Sequence, residues 1–167
     1  MPSEAIAQIN INLPKEKAWE KLQDFSLAHN YVPGIIKTEI TTDKRNGLGA
    51  SRKVYQSSTR ALDETIVEWN EGKGFKIKLH KGPKDAPFKD AHFIYELADG
   101  PNNTTNLTTT MSYQPPLAGF GRFLDKAFLN KIISNVIQEV ALSMKLYYET
   151  SKPTTKADLK AFKQSQN

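Results

Sequence analysis

A long apolar segment, residues 117–149, limits the folds that the chain can adopt. It follows Pro115 and Pro116, and beyond Gly121 it contains no residue that breaks a helix. Its apolar residues recur every four positions, which predicts an amphipathic helix. They are Phe120, Leu124, Phe128, Ile132, Val136, Val140, Met144 and Tyr148, and the stripe is widened by Ile133, Ile137 and Ala141. At 1.5 Å per residue this helix would be about 50 Å long.

The charges of this segment help to decide which role the helix has. Asp125, Lys126, Lys131, Glu139 and Lys145 lie opposite the apolar stripe, which argues against a membrane-spanning helix. A coiled coil needs a period of about 3.5 residues, whereas this stripe is wider and drifts around the helix. The segment is therefore predicted to cover a β-sheet.

Six short runs with the composition of strands precede the long segment, each bounded by Gly, Asn, Asp or Pro. They are residues 35–42, 50–57, 62–69, 75–81, 90–97 and 106–113. Several separators have the length of a hairpin turn, so the runs are predicted to form an antiparallel meander. Apolar and polar residues alternate along these runs, which predicts one apolar face and one solvated face.

The first part of the chain predicts one more strand and two short helices. Residues 4–12 read as a strand whose alternation slips between Ile6 and Ile9, which a bulge or burial on both faces would explain. Pro14 opens a predicted helix over residues 14–25. Its buried stripe is Ala18, Trp19, Leu22 and Phe25. Residues 26–35 predict a short turn or helix that is ended by Pro33 and Gly34.

Length and composition indicate one domain. The chain has 167 residues, of which 38% are hydrophobic and 25% charged, and this balance argues against disorder. We expect the domain to span residues 1–150. Residues 151–167 form a basic tail that is either disordered or a short helix packed weakly outside the fold. No nucleic-acid motif accompanies the net charge of +5, so no specific nucleic-acid partner is predicted. No oligomeric state is predicted either.

Cysteine and histidine usage exclude several kinds of site. The chain has no cysteine, so disulfides, thiolate metal sites and a cysteine nucleophile are excluded. His29, His80 and His92 lack metal-ligand spacing and their predicted positions diverge, so no metal and no cofactor are predicted. The first residues do not look like a signal peptide, so a cytoplasmic location is expected.

Three short stretches resemble a known superfamily. Residues 13–35 are similar to the opening of polyketide cyclase/dehydrase-like members of the START/Bet v 1-like (SRPBCC) superfamily: LPKEKAWEKLQDFSLAHNYVPGI. In those members a helix with a buried Trp follows a proline, ends in Asp-Phe and leads to Pro-Gly. The stretch GLGASRKV resembles their glycine-x-x-arginine strand start, here Gly49 to Arg52. The stretch LDETIVEWNEGKGFKIKL resembles their next strand, with an inward glutamate at Glu64. The resemblance covers about residues 3–149.

The resemblance implies an α+β helix-grip fold. A curved seven-stranded antiparallel sheet would wrap around a long C-terminal helix, with two short helices after the first strand. Between sheet and helix the superfamily has an apolar cavity, so the implied partner is a hydrophobic small molecule or lipid. The first turns of the long helix, near Leu117, Phe120 and Phe123, would overlook the cavity entrance.

Arg52 and Glu64 are the first candidate site residues. If their two strands pair through the short turn between them, the two residues lie nearly opposite each other. Val54 shares the face of Arg52, and Ile66 shares the face of Glu64, so both charged side chains are predicted to point inward. Two interpretations stay open: a pair that orients the polar head of a ligand, or a structural salt bridge near the edge of the sheet.

Further inward-facing residues complete the predicted ligand site. Its residues are Arg52, Val54, Glu64, Ile66, Ile77, Phe93, Tyr95, Thr109, Met111, Tyr113, Phe120 and Phe123. The hydroxyls of Tyr95, Thr109 and Tyr113 would need partners, which a hydrated cavity would supply. No Ser-His-Asp order, phosphate-binding glycine loop or close acidic dyad is present, so no catalytic residue is assigned by motif.

Three functions are compatible with these residues. The leading hypothesis is noncatalytic binding of a lipid, polyketide-like or aromatic molecule. In the first alternative, a polyketide cyclase/dehydrase-like enzyme, Glu64 transfers a proton, Tyr95 or Tyr113 is the donor and Arg52 holds an enolate or carboxylate. The second alternative is a lipid or quinone carrier in weak contact with anionic membranes. Its basic surface would consist of Lys76, Lys78, Lys81, Lys84 and the tail.

Overall fold

The helices and strands follow the predicted order. The computed structural model describes residues 2–80, 89–114 and 124–167. The strands are β1 (Ser3–Ile11), β2 (Lys37–Ile40), β3 (Ser51–Tyr55), β4 (Ala61–Asn70), β5 (Gly74–Leu79), β6 (Lys89–Asp99) and β7 (Thr105–Gln114). The helices are α1 (Lys15–Leu22), α2 (Ala28–Tyr31), α3 (Leu124–Thr150) and α4 (Lys156–Ser165), and a 3-10 turn spans Pro101–Asn103. The seven predicted strands and the two short helices after the first strand are confirmed.

The strands form one antiparallel sheet in the order β1-β7-β6-β5-β4-β3-β2. From β2 to β7 each strand pairs with the next one, as short separators favour. β1 is the exception, because it pairs with β7, the last strand of the sequence. With α3 lying against this curved sheet, the predicted helix-grip fold is confirmed.

β1 has no irregularity in its pairing with β7. The register runs unbroken from Ser3 opposite Tyr113 to Ile11 opposite Thr105. Ile11 is buried, whereas Ile6 is 55% exposed on the outer face. The predicted bulge or two-sided burial is therefore wrong. The inward positions at the apparent break in the alternation are occupied by small alanines, which are described next.

α3 lies along β1, and small residues let the two backbones approach. Ala5 and Ala7 of β1 form one apolar cluster with Ile133, Ile137 and Ala141 of α3, joined by Ala91, Met111 and Tyr113. At the other end of β1, Lys145 Nζ donates to the Asn10 carbonyl oxygen at 2.8 Å. Glu149 accepts a hydrogen bond of 2.7 Å from the Asn12 amide. α3 thus covers the edge of the sheet.

The buried face of α3 differs from the predicted stripe in its first half. Val140, Met144 and Tyr148 are buried as predicted, but Phe128, Ile132 and Val136 are exposed. A step of four residues turns a helix about 40° beyond a full turn, so a row at this spacing rotates away from the sheet. Ile133, Ile137 and Ala141 take over the buried face there. The predicted start of the helix, residues 117–123, lies outside the described residues.

α1 is held on the sheet by two tryptophans and one carboxylate. A register shift between Ile66 and Glu68 turns Trp69 toward Phe75, and their rings stack at 5.4 Å between centroids. Trp19 of α1 meets Trp69 at 5.0 Å. Glu71 accepts hydrogen bonds from both indoles, at 3.2 Å from Trp19 and 2.8 Å from Trp69.

Residues 151–167 contain α4, which packs on α3. Thr155 and Asp158 form a capping box at its start, and Leu159 is its buried residue. Thr154 ties the segment to two helices, because its amide donates to Asn30 and its hydroxyl donates to Ser143. In residues 2–80, 89–114 and 124–167, no helix combines the length and apolar character needed to cross a membrane.

Candidate functional site

A buried ion pair lies on the inner face of the sheet. Arg52 of β3 and Glu64 of β4 are register partners, so the prediction that they face each other is confirmed. Arg52 Nε donates to Glu64 Oε2 at 2.6 Å. Arg52 is 1% exposed and Glu64 8% exposed. Removing two charges from water this completely costs free energy, so the pair is a polar feature of an otherwise apolar interior.

The Arg52 guanidinium is fixed by groups from the start of the chain. Its Nη1 donates to the carbonyl oxygen of Phe25 at 2.8 Å, and its centre lies 4.0 Å from the Phe25 ring centroid. Burial acts to lower the pKa of Arg52, but the Glu64 carboxylate together with Tyr31 and Tyr95 outweighs burial and raises that pKa above its usual value. The guanidinium is therefore charged at every physiological pH.

Three tyrosines surround the ion pair: Tyr31 of α2, Tyr95 of β6 and Tyr148 of α3. Burial raises the pKa of Tyr31, although the Arg52 charge opposes this rise. Burial also raises the pKa values of Tyr95 and Tyr148 well above the ordinary tyrosine value. All three phenols are protonated at neutral pH, so each can donate one hydrogen bond and accept another.

Two of these hydroxyls are orphaned. Within the described ranges, the buried hydroxyls of Tyr31 and Tyr148 make no hydrogen bond of ordinary geometry, although the Arg52 guanidinium is close enough to the Tyr31 hydroxyl to act on its pKa. Leaving a buried hydroxyl without a partner costs about 1–3 kcal/mol, and such groups are rare in folded proteins. Two of them beside one ion pair mark this region as a candidate binding site.

Further predicted site residues lie on the same inner face. Val54, Ile66 and Ile77 are buried near the ion pair. The register places Phe93 opposite both Ile77 and Met111, and Tyr95 opposite Thr109. Phe120 and Phe123, which were also predicted to line the site, lie outside the described residues. That any of these residues binds a ligand stays a prediction.

The hydroxyls of two predicted site residues, Thr109 and Tyr113, lie near polar groups of β1. The Thr109 hydroxyl lies 3.5 Å from the Ala7 carbonyl oxygen. Tyr113 is hydrogen-bonded to Ser3, its register partner on β1. Neither residue needs a cavity to satisfy its hydroxyl. Tyr113 also lies four residues along β7 from Thr109, about 13 Å away at strand spacing, so of the two proposed donors only Tyr95 lies near Glu64.

The inner face is incompletely covered at one end. Leu62, Leu79 and Phe93 point inward in register with buried neighbours, yet all three are only half-buried. Phe93 borders both apolar clusters, one around Phe25 and Tyr95 and the other around Met111 and Ile137. An apolar surface therefore continues from the ion pair toward solvent.

Tyr31 and Tyr148 were not among the predicted site residues. Tyr148 was assigned to the apolar stripe of the long helix, and Tyr31 lies in a segment too short to show periodicity. The sequence does offer one signal for Tyr148. It follows Val140 and Met144 at a spacing of four, so it places a hydroxyl on an otherwise apolar helix face.

The histidines and lysines lie away from this site. His80 is exposed and its Nε2 lies 2.8 Å from the Thr65 hydroxyl, while His29 Nδ1 lies 3.0 Å from the Thr38 hydroxyl. In the part of the chain that the structure describes, no cluster of three metal-ligating side chains occurs. Lys76 pairs with Glu68 at 3.0 Å, and Lys78 lies 3.9 Å from Asp90. Lys81 and Lys84, also predicted for the basic surface, lie outside the described residues.

Comparison with known families agrees with this architecture. A family model described as "Polyketide cyclase / dehydrase and lipid transport" matches residues 4–149. The chain belongs to this family. The predicted membership of the START/Bet v 1-like superfamily is thereby confirmed. The family match includes the Arg52–Glu64 pair and ends before α4. No curated protein matches the chain in sequence.

Solved structures share the family fold at low sequence identity. A protein from Thermus thermophilus is 14% identical with a TM-score of 0.71, and the match covers 89% of this chain and 99% of that one. A protein from Thermobifida fusca is 16% identical with a TM-score of 0.70, covering 87% and 92%. The Bet v 1-like protein Ara h 8.0201 is 14% identical with a TM-score of 0.66, covering 89% and 98%.

Proposed function

We propose that the chain binds an apolar small molecule between the inner face of the sheet and α3, with the polar end of the molecule beside the Arg52–Glu64 pair. The observation that carries this proposal is the pair of orphaned hydroxyls of Tyr31 and Tyr148. A ligand that hydrogen-bonds to them removes the cost of burying them unpaired.

The apolar part of the ligand would lie along the half-buried end of the inner face. Leu62, Leu79 and Phe93 each leave part of an apolar side chain exposed there. A bound apolar chain or ring would remove this surface from water, which stabilises a complex by about 25 cal/mol per Å². The family, whose description includes lipid transport, supports a ligand of this kind.

Binding fits the ion pair better than proton transfer does. Glu64 Oε2 already accepts a hydrogen bond of 2.6 Å from Arg52 Nε, so this oxygen is not free to contact a reacting group of a ligand. For the carrier hypothesis, the family description includes lipid transport, but Lys76 of the predicted basic surface is paired with Glu68.

A fluorescence titration with the neutral probe N-phenyl-1-naphthylamine tests the proposal. Phe93→Trp fills the half-buried end of the inner face, and the adjacent Ile94→Trp adds the same ring on the outer face. We expect wild type and Ile94→Trp to bind the probe alike, and Phe93→Trp to bind it about ten-fold more weakly or worse. Absence of probe binding to wild type, or equal loss in both variants, contradicts the proposal. Circular dichroism confirms that both variants are folded.

A further inference from the structure

We infer that the polar end of the ligand is an uncharged hydrogen-bonding group, a carbonyl or a hydroxyl, and not a carboxylate or phosphate. This inference rests on the proposed function, because it names the class of molecule that the same site accepts. It follows from the charges and hydroxyls that surround the site.

The buried charges of the site cancel. In the described part of the chain, Arg52 and Glu64 are the charged residues that are buried, and their charged groups lie 2.6 Å apart. A carboxylate brought beside them is attracted by Arg52 and repelled by Glu64. A cationic head group is attracted by Glu64 and repelled by Arg52. Since a buried charge without its own counter-charge is strongly disfavoured, neither kind of head group is accommodated.

The charge nearest in effect to the orphaned hydroxyls already has a counter-charge. Arg52 is the strongest charge acting on the Tyr31 hydroxyl, where Glu64 and Asp24 oppose it, and Arg52 also acts on Tyr148. Its guanidinium lies 2.6 Å from the Glu64 carboxylate, so an anionic head group would have to compete with Glu64 for the same cation.

The two orphaned hydroxyls match a neutral acceptor. Tyr31 and Tyr148 are both protonated at neutral pH, and their rings meet edge to face with centroids 6.2 Å apart. A ligand carbonyl oxygen has two lone pairs and can accept from both phenols. A ligand hydroxyl can accept from one phenol and donate to the other. Either group satisfies the site without adding a charge.

Matched ligands of equal chain length test the inference. We would measure displacement of N-phenyl-1-naphthylamine by 2-dodecanone, 1-dodecanol and dodecanoate at about pH 8, where the carboxyl group is ionised. We expect the ketone and the alcohol to displace the probe, and dodecanoate to bind at least about ten-fold more weakly. If dodecanoate binds as well as the ketone while the probe still binds, the inference is wrong and the proposed function stands. If neither the probe nor any of the three compounds binds, the proposed function itself fails.

A charge variant adds an internal control. Glu64→Gln leaves the Arg52 charge uncompensated, so the ratio of dodecanoate to ketone affinity should rise by about ten-fold or more. Asp63→Asn removes the same charge from the neighbouring residue, which is exposed and on the opposite face, and should leave the ratio unchanged. An unchanged ratio in folded Glu64→Gln overturns the charge argument.

A second pair of variants serves if Glu64→Gln does not fold. Tyr31→Phe and Tyr148→Phe keep the rings and remove the two hydroxyls. Each should weaken 2-dodecanone binding by about five-fold or more, whereas Tyr147→Phe, which removes a hydroxyl already paired with Asn30, should leave it within about two-fold of wild type. Ketone affinity that is unchanged in both variants places the polar end elsewhere and overturns the inference.

Discussion

Tyr31 and Tyr148 meet edge to face in the interior, with ring centroids 6.2 Å apart, and both hydroxyls are buried. In the residues that the structure covers, neither hydroxyl has a hydrogen-bond partner. Tyr147, the neighbour of Tyr148, differs because its hydroxyl accepts a hydrogen bond of 3.3 Å from Asn30 Nδ2. The two adjacent tyrosines of α3 therefore form a matched pair for mutagenesis.

We predict opposite effects of removing these two hydroxyls from the ligand-free protein. Tyr148→Phe should raise the free energy of unfolding by about 1 kcal/mol, because a desolvated and unpaired hydroxyl is removed. Tyr147→Phe should lower it by about 1 kcal/mol, since a hydrogen bond is lost and the Asn30 amide loses its acceptor. Urea denaturation measures both. Changes of the same sign in the two variants would contradict the assignment of the orphaned hydroxyl.

The Arg52–Glu64 pair should show strong energetic coupling. Either Arg52→Met or Glu64→Leu alone should cost about 3–5 kcal/mol, because each leaves a buried charge unpaired. The double variant should cost much less than the sum of the two. The pair Lys53–Asp63 on the same two strands is a control, with its charged atoms 3.8 Å apart and both side chains partly exposed. Its coupling should stay below about 1 kcal/mol. A double-mutant cycle that gives additive losses at residues 52 and 64 would refute the prediction.

Stability should fall at alkaline pH for a reason that can be traced to single tyrosines. Burial holds the pKa values of Tyr95 and Tyr148 well above the unfolded value of about 10. Their contribution is fully present below pH ~10, and it is lost above it because the unfolded phenols ionise while the folded ones do not. Each should add a slope of about −1.4 kcal/mol per pH unit there. Tyr148→Phe should remove the contribution of one tyrosine to this slope. Equal slopes of the free energy of unfolding against pH in wild type and variant would count against the raised pKa of Tyr148.

Neighbouring isoleucines of α3 provide the sharpest test of how the helix packs. Ile133 is 5% exposed and Ile132 is 44% exposed. Ile133→Ala should lower the free energy of unfolding by about 2–5 kcal/mol, because it opens a cavity against Ala5 and Met111. Ile132→Ala should cost less than about 1 kcal/mol. Similar losses at both positions in thermal or chemical denaturation would mean that α3 is rotated about its axis relative to the sheet.

The strands and the Arg52–Glu64 pair could be predicted because they depend on local information. Alternation along each run and the short turn between β3 and β4 are enough to place residue 52 opposite residue 64. Ile6 and Ile132 could not be placed in this way. The buried neighbours of Ile6 are the small Ala5 and Ala7, and the buried neighbour of Ile132 is another isoleucine, Ile133. In neither case does residue type alone show which face is buried.

The tyrosine cluster could not be predicted because it is assembled by tertiary contacts. Tyr31 follows α1 by nine residues, whereas Tyr148 lies in the last turn of α3. Their meeting depends on how α2 packs against α3, for which neither segment carries a periodic signal. Which hydroxyl is left without a partner depends on single contacts, such as the one from Asn30 to Tyr147.

The pairing of β1 with β7 has a consequence for synthesis of the chain. β1 is made before its partner strand, which begins at Thr105, and before the helix that covers it, which begins at Leu124. Until those residues have left the ribosome, Ala5 and Ala7 lack the residues of β7 and α3 with which they form an apolar cluster. Closing a loop of this length is slow, since its entropy is lost before any contact is gained. The nascent chain therefore cannot complete the packing of β1 until its later half is synthesised. During that time the unpaired strand is accessible to chaperones.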